Sequence, residues 1–141
     1  MVTEVYIGKV KSEKFDFDAK GDWSGYTPEP LCDLFFCNKL YWDIVSAVNG
    51  QNPKTKQTDW GCFVIKFSKS ELISYLDKDK YKKSDKPADS LKGFDIYAFN
   101  ATTPKDVEAS KAFLQVAKGL PDNEEYLLVA IEGISWEEDE K

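Results

Sequence analysis

Residues 60–76 read WGCFVIKFSKSELISYL, and they decide the fold class of the chain. From Phe63 to Phe67 large apolar side chains recur at every second position, which is the period of a β-strand with one buried face. Ser68 and Glu71 then form a capping box, in which each side chain accepts a hydrogen bond from the backbone amide of the other at the start of a helix. The stretch predicts a strand that leads directly into a short helix.

A second helix start follows later in the sequence. Thr103 can cap a helix, Pro104 suits its first position because no backbone amide is needed there, and Asp106 places an acid near the positive end. Gly119 is a suitable stop. We expect the inner face of this helix to carry Val107, Ser110, Phe113, Leu114 and Ala117.

Strands are predicted on both sides of that helix. Phe94 to Phe99 reads as one strand, and Tyr126 to Ile134 is apolar on both faces, which favours a central position in a sheet. Asp77 to Asp89 is rich in lysine and aspartate and is predicted to be a solvated loop. The acidic residues 137–141 are predicted to form a frayed tail.

The N-terminal part begins with a predicted strand. Residues 2–10 have the composition of a strand, with Gly8 as a candidate bulge. Phe15 and Phe17 alternate with aspartates, which predicts that the strand continues or that a second one begins. Gly21 to Pro30 reads GDWSGYTPEP, is dense in turn-forming residues and is predicted to be a loop.

Residues 31–50 admit two interpretations. Apolar side chains fall near helical spacing and an Asn-Gly pair closes the segment, so we predict a helix. In the alternative, Asn38 caps a shorter helix and residues 31–37 are extended. The polar residues 51–59 are predicted to form a loop. The apolar positions of the predicted helix are Leu34, Phe35, Leu40, Tyr41, Ile44, Val45 and Val48.

These elements predict an α+β fold in a single domain that spans residues 1–141. Strands and helices alternate, but the helices are short and their connections irregular. We therefore expect a mixed or antiparallel sheet of about four to five strands, with about three helices packed on it, rather than a parallel sheet.

Composition excludes several classes of function. The chain of 141 residues carries 25 acidic and 19 basic side chains, for a net charge of −6, and has no histidine. Every basic residue is lysine, so the two-pronged grip of arginine on phosphate is absent. Histidine-based hydrolysis is excluded, nucleic-acid binding is disfavoured, and no nucleotide-binding motif is present. We predict that the chain is not an enzyme and uses no cofactor.

The sequence also predicts the cellular location. No signal peptide and no apolar stretch long enough to span a membrane are visible, and the odd number of cysteines argues against a disulfide framework. We expect a cytoplasmic protein in which Cys32, Cys37 and Cys62 are small buried side chains.

One segment resembles a calcium-binding loop in part. Asp16, Asp18 and Gly21 occupy the first, third and sixth positions of such a loop. Lys20 and Thr27 stand at the fifth and twelfth, where oxygen ligands are needed, so we predict a polar turn and no metal site.

The loop from Gly21 to Pro30 carries the predicted binding site. Trp23 and Tyr26 lie outside any periodic core pattern, and these residue types are enriched at protein interfaces. With Asp22 and Glu29 they form the predicted contact set. The net negative charge favours a basic protein as the partner, as for an inhibitor or a toxin-immunity protein; this comparison rests on size and charge alone.

Two other classes of function stay open. A carboxylate-based enzyme or a carbohydrate binder could use acids that lie near aromatic residues in the sequence, among them Asp43. A deep pocket lined by Asp22, Glu29 or Asp33 beside Trp42 would favour this class. A structural subunit of a larger assembly would instead carry an apolar face for self-association, and the oligomeric state is not predicted.

Overall fold

The fold was analysed in a computed structural model, which describes residues 2–18, 27–50, 53–59, 61–84 and 102–133. These residues form three α-helices and a four-stranded antiparallel sheet, which confirms the predicted α+β class. In chain order the elements are β1 (Val2–Lys9), α1 (Asn38–Asn49), β2 (Thr55–Asp59), β3 (Cys62–Ser68), α2 (Lys69–Leu76), a 3-10 turn (Asp79–Tyr81), α3 (Pro104–Lys118) and β4 (Glu125–Gly133).

The sheet has the strand order β1-β4-β3-β2, and every neighbouring pair is antiparallel. Strand β4 lies between β1 and β3, which confirms the predicted central strand. Val129 of β4 is opposite Tyr6 of β1 and Val64 of β3, so the three strands share one face at this level. Residues 126–130 are all buried because both faces of β4 are covered.

Two clusters of apolar side chains cover the two faces of the sheet. The larger cluster joins the sheet to the three helices, and Val5, Leu40 and Phe113 are among its fully buried members. The smaller cluster lies on the other face, where Phe15 and Phe17 pack with the strands. The two-sided burial explains why the sequence of β4 is apolar without alternation.

The predicted strand-to-helix unit is confirmed. Glu71 donates its backbone amide to Ser68 Oγ at 3.3 Å, and Ser68 donates its own to Glu71 Oε1 at 3.0 Å. Helix α2 therefore starts directly at the end of β3. Leu72 and Leu76 face the larger cluster.

The predicted helix at Thr103 is confirmed as α3, and its capping residue Asp106 has a second role. Thr103 and Asp106 form a capping box, with distances of 3.1 Å in both directions. Asp106 Oδ1 also accepts the backbone amide of Asn38 at 2.8 Å, at the start of α1. One buried carboxylate therefore satisfies amides at the N-termini of two helices.

The predicted helix over residues 31–50 is wrong in its first part, and the shorter alternative is close to the structure. Helix α1 begins at Asn38, and Cys37 takes the capping position without a side-chain cap. The preceding residues are extended because Phe35 pairs with Val5 of β1 and Asp106 fixes the helix start from outside the segment. Periodicity within the segment could not reveal either long-range contact.

The predicted loop over residues 51–59 is also wrong, because Thr55–Asp59 form strand β2. Thr55 pairs with Ile65 and Gln57 with Phe63 of β3, followed by a register shift. As the last strand in the sheet order, β2 needs few apolar side chains, so its polar sequence lacks the usual strand signal.

Two smaller predictions near the N-terminus need correction. Gly8 does not form a bulge: the pairing of β1 with β4 runs unbroken through it, and a Cβ atom there would lie 3.0 Å from Pro28 Cβ. Phe15 and Phe17 lie next to a single antiparallel β-bridge between Lys11 and Asp16 rather than in a strand of the sheet. A close approach of the chain, rather than a bulge, accounts for the glycine.

Some predictions fall outside the described ranges. They are the strand Phe94–Phe99, the tail 137–141, most of the loop that follows Gly21, and the last part of the solvated loop that ends at Asp89. The described part of that last loop is exposed, apart from Tyr81, which is buried in the larger cluster.

Candidate protein-binding surface

The predicted contact set is only partly within the described residues. Asp22, Trp23 and Tyr26 lie outside them. Glu29 is exposed, and its carboxylate forms an ion pair with Lys9 Nζ at 3.2 Å. Glu29 therefore begins an accessible segment, which we call the edge segment and define as residues 29–36.

The edge segment runs antiparallel along the outer side of β1. Lys9 donates its backbone amide to Glu29 O at 2.9 Å, and Leu31 donates to Ile7 O at 2.8 Å. Phe35 and Val5 exchange two hydrogen bonds, of 2.9 and 2.8 Å. The outer edge of β1 is thus bonded by the chain itself, which fixes the backbone of the edge segment at both ends.

Three large apolar side chains project outward from the edge segment. Leu31, Leu34 and Phe36 are 37%, 41% and 63% exposed. Within the described ranges, no other large hydrophobic side chain is as exposed as these three. All three fall within residues 31–36, so the exposed large apolar side chains are concentrated in one short segment.

Other side chains of the segment point inward and hold it in place. Phe35 stacks on Phe113 of α3, with 4.9 Å between the ring centroids. The Cys32 sulfur accepts the backbone amide of Ile7 at 3.3 Å. The exposed side chains of Leu31, Leu34 and Phe36 are therefore attached to backbone that is held in place. A partner would not need to order this backbone on binding.

Leu34 was predicted to lie on the buried face of a helix. This assignment is wrong because helix α1 begins only at Asn38. Phe36 was not assigned to a site. The run Leu34-Phe35-Phe36 contains three consecutive large apolar residues, more than a single strand beside a sheet edge can bury. That excess was the available sequence signal for an exposed apolar surface.

The edge segment carries negative charge only. Glu29 and Asp33 are its ionisable acids, and the segment contains no lysine. Asp33 is exposed and forms no ion pair within the part of the chain that the structure describes. The apolar surface therefore lies beside a carboxylate that is open to a cationic partner.

A pocket lies at the Leu31 end of the segment, with a volume of about 420 Å³. Val10, Leu31, Leu120 and Pro121 provide apolar atoms to its walls. Its remaining lining residues are Lys9, Lys11, Glu124, Glu125 and Tyr126.

One wall of the pocket is fixed by a hydrogen bond across the turn between α3 and β4. The Tyr126 hydroxyl donates to Pro121 O at 2.6 Å. Burial, helped by the nearby carboxylates of Glu124 and Asp122, raises the pKa of Tyr126. The phenol stays protonated, so the donor is retained at physiological pH.

Asp43, a further candidate carboxylate, is engaged by neighbouring side chains. Asp43 accepts the Tyr81 hydroxyl at 2.6 Å and pairs with Lys80 Nζ at 2.9 Å. Burial, together with neighbouring Tyr75 and Asp43, raises the pKa of Tyr81 far above its ordinary value. Trp42 packs edge-on against Tyr41 at 5.1 Å. The alternative of a carboxylate enzyme or carbohydrate site stays a prediction that these contacts do not test.

The aspartates of the calcium-like segment also have protein partners. Asp16 Oδ1 accepts the backbone amide of Asp18 at 3.0 Å, and Asp18 Oδ1 pairs with Lys66 Nζ at 2.9 Å. In the described ranges, no cluster of three or more histidine, cysteine, aspartate or glutamate side chains could hold a metal ion.

The three cysteines are free thiols. Cys37 and Cys62 are buried, as predicted, whereas Cys32 is half-buried in the edge segment. Burial raises the pKa of Cys37 to about 12, although Ser110 opposes the shift by hydrogen bonding. The Cys37 thiol is therefore unreactive at neutral pH.

Comparisons with known proteins give no relatives. No family model matches the sequence, no curated protein matches it, and no solved structure matches the fold. Among the described helices, none has the length and apolar composition needed to cross a membrane.

Proposed function

We propose that this chain is a non-catalytic protein-binding module, and that the edge segment is its contact surface for a basic protein. The observation that supports this most is the exposure of Leu31, Leu34 and Phe36 on backbone that is hydrogen-bonded to β1. Burying such side chains under a partner gives binding energy at a small cost in conformational freedom.

Charge supports the choice of a basic partner. The whole chain has a net charge of −6, and the edge segment has two acids and no base. Opposite charge on a partner accelerates encounter and fixes its orientation. An inhibitor or toxin-immunity protein that occludes a basic partner would have these properties.

The contact set extends the one predicted from sequence. Glu29 is retained because it is exposed at one end of the edge segment. Asp22, Trp23 and Tyr26 are retained as predicted contacts because they directly precede the segment in the sequence. We also propose a cytoplasmic location, which the three free thiols support.

The proposal is tested by affinity capture from the native host. The bait is the full chain, compared with the double variant Leu34→Ser/Phe36→Ser and with the matched control Ala112→Ser/Gln115→Ser on the exposed side of α3. We expect one basic protein to be captured by the wild-type chain and the control but not by the edge variant. Mass spectrometry identifies the captured protein.

Stability measurements separate loss of binding from loss of folding. Substitution of exposed side chains usually changes stability by less than about 0.5 kcal/mol, so the thermal midpoint of Leu34→Ser/Phe36→Ser should stay within about 3 °C of the wild type. If all three baits capture the same proteins equally, the edge segment is not the contact surface.

A further inference from the structure

The pocket beside Leu31 opens at the same edge of the sheet as the apolar side chains of the edge segment. Pro30 pairs with Gly8, so Leu31 lies near the end of β1 at which Lys9 and Lys11 enter the pocket wall. The surface and the pocket share Leu31. A partner that covers the edge segment would therefore reach the pocket without crossing another element.

The volume of the pocket limits what it can hold. At about 420 Å³ it lies in the lower part of the range for ligand pockets, which is roughly 300–1,000 Å³. Its apolar walls, formed by Val10, Leu31, Leu120 and Pro121, suit a large aliphatic or aromatic side chain with part of its backbone.

The charges around the pocket favour a cation next to that side chain. Lys9 is paired with Glu29 at 3.2 Å, and Lys11 lies 3.8 Å from Asp16. Both rim cations therefore already have an acidic partner.

Of the two acids on the rim, Glu124 and Glu125, one lacks a cationic partner among the described residues. Glu124 is exposed and forms no ion pair with any residue that the structure describes. Glu125 is 3.8 Å from Lys66, whose ammonium lies closer, at 2.9 Å, to Asp18. Glu124 is therefore the rim carboxylate that is available to a lysine or arginine of a partner.

We propose that the pocket is an anchor site for an extended segment of the basic partner, which places one large apolar side chain between Leu31 and Pro121 and an adjacent lysine or arginine against Glu124. This inference rests on the proposed protein-binding function and names how the partner is recognised. A buried apolar anchor with a charged neighbour gives both affinity and register.

The test is selection from a library of displayed random nonapeptides on the immobilised wild-type chain. We expect enrichment of sequences with a large aliphatic or aromatic residue next to lysine or arginine. The most enriched peptide is then synthesised, and its affinity for variants of the chain is measured by fluorescence polarisation.

Five variants locate the binding site. Leu31→Ser, which removes a wall, and Leu31→Trp, which fills the pocket while keeping an apolar wall, should each weaken the peptide at least about tenfold. Glu124→Gln should weaken it by about threefold, whereas Glu108→Gln on the exposed side of α3 should leave it unchanged. Phe36→Ser tests whether the peptide also contacts the rest of the edge segment. Amide fingerprint spectra confirm that each variant is folded.

Three outcomes would overturn the inference: no peptide is enriched, the enriched peptides are acidic or lack a large apolar residue, or both Leu31 variants bind as the wild type does. None of these outcomes decides the proposed function, which depends on protein capture through Leu34 and Phe36. A peptide that is lost on Phe36→Ser but kept on both Leu31 variants would place recognition on the edge segment and exclude the pocket.

Discussion

Asp106 connects two helices through a single carboxylate. Its oxygens accept the backbone amides of Asn38 at 2.8 Å and Thr103 at 3.1 Å. Because α1 has no side-chain cap of its own, the start of this helix, directly after the edge segment, depends on a residue of α3. The position of the proposed binding surface is therefore linked to the capping of α3.

Replacement of Asp106 by alanine should destabilise the fold strongly. Two partly buried amides would lose their acceptor, which costs about 2–4 kcal/mol in the free energy of unfolding. Asp106→Asn keeps one acceptor oxygen and should lose less. Glu108→Ala, on the exposed side of the same helix, is the control and should change stability by less than about 0.5 kcal/mol. Urea unfolding measures all three, and equal effects of Asp106→Ala and Glu108→Ala would contradict the shared cap.

Glu71 gives a pH-dependent readout of the other capping box. A hydrogen bond from Lys54, followed by one from the Ser68 backbone, lowers the pKa of Glu71 from 4.5 to about 2. A carboxyl group whose pKa is lower in the folded state stabilises the fold at pH values above its unfolded-state pKa. This stabilisation is lost as the pH falls through the folded-state pKa. The contribution of Glu71 should therefore fade between pH 4.5 and about 2.

The carboxyl carbon shift of Glu71 measures this directly by NMR. In the wild type we expect a titration midpoint near 2, and in Lys54→Ala we expect the pKa to move back toward that of an ordinary glutamate. A wild-type midpoint already at the ordinary value would show that the capping box and its lysine do not hold the carboxylate.

Among the elements, those that depend on local signals were predictable. The capping boxes at Ser68 and Thr103 lie within one turn of the chain, so they can be recognised without knowing the fold. The two-sided apolar sequence of β4 likewise reports its central position. In each case the signal and the structure that it specifies are close in the sequence.

Elements fixed by distant partners were not predictable in the same way. Strand β2 has a polar sequence because, among the described strands, it pairs only with β3. Helix α1 starts where Asp106, far along the chain, accepts the Asn38 amide. For the candidate site, the predicted contact Glu29 is exposed, whereas Leu34, which was placed on a buried face, is exposed as well. Whether an apolar residue faces solvent at a sheet edge depends on the register with β1, which the segment alone does not encode.

Hydrogen exchange tests the register of the edge segment. The amides of Leu31 and Phe35 donate to Ile7 O and Val5 O at 2.8 and 2.9 Å. We expect these two amides to exchange about 100-fold more slowly than in an unstructured peptide, as measured by NMR. Exchange at unprotected rates would mean that the segment is not held on β1 and that its apolar side chains are not pre-positioned.

The turn between α3 and β4 depends on one residue with a left-handed backbone. Asn123 has φ of 65°, a conformation that asparagine and glycine tolerate and β-branched residues do not. Asn123→Val should therefore lower the free energy of unfolding by about 1–2 kcal/mol, whereas Asn123→Gly should be nearly neutral. Urea unfolding of the two variants measures the difference, and equal stability would contradict the left-handed conformation at position 123.

At the scale of the whole molecule, net charge and surface act together in the proposed function. The charge of −6 acts at long range, while the apolar side chains act only at contact. Electrostatics should therefore govern the rate of association, and the edge segment should govern the lifetime of the complex.

Salt dependence of the association rate tests the electrostatic part. With the captured partner, raising the salt concentration from 50 to 500 mM should lower the association rate by about tenfold and change the dissociation rate little. Surface plasmon resonance measures both rates. An association rate that does not depend on salt would show that charge complementarity does not accelerate association.

The most direct test of the central claim is the affinity of the purified partner for Leu34→Ser/Phe36→Ser, measured by isothermal titration calorimetry beside the wild type and Ala112→Ser/Gln115→Ser. Loss of two central apolar contacts should weaken the complex by at least about tenfold, while the α3 control binds as the wild type does. Unchanged affinity of the folded edge variant would contradict the proposal that this chain binds its partner through residues 29–36.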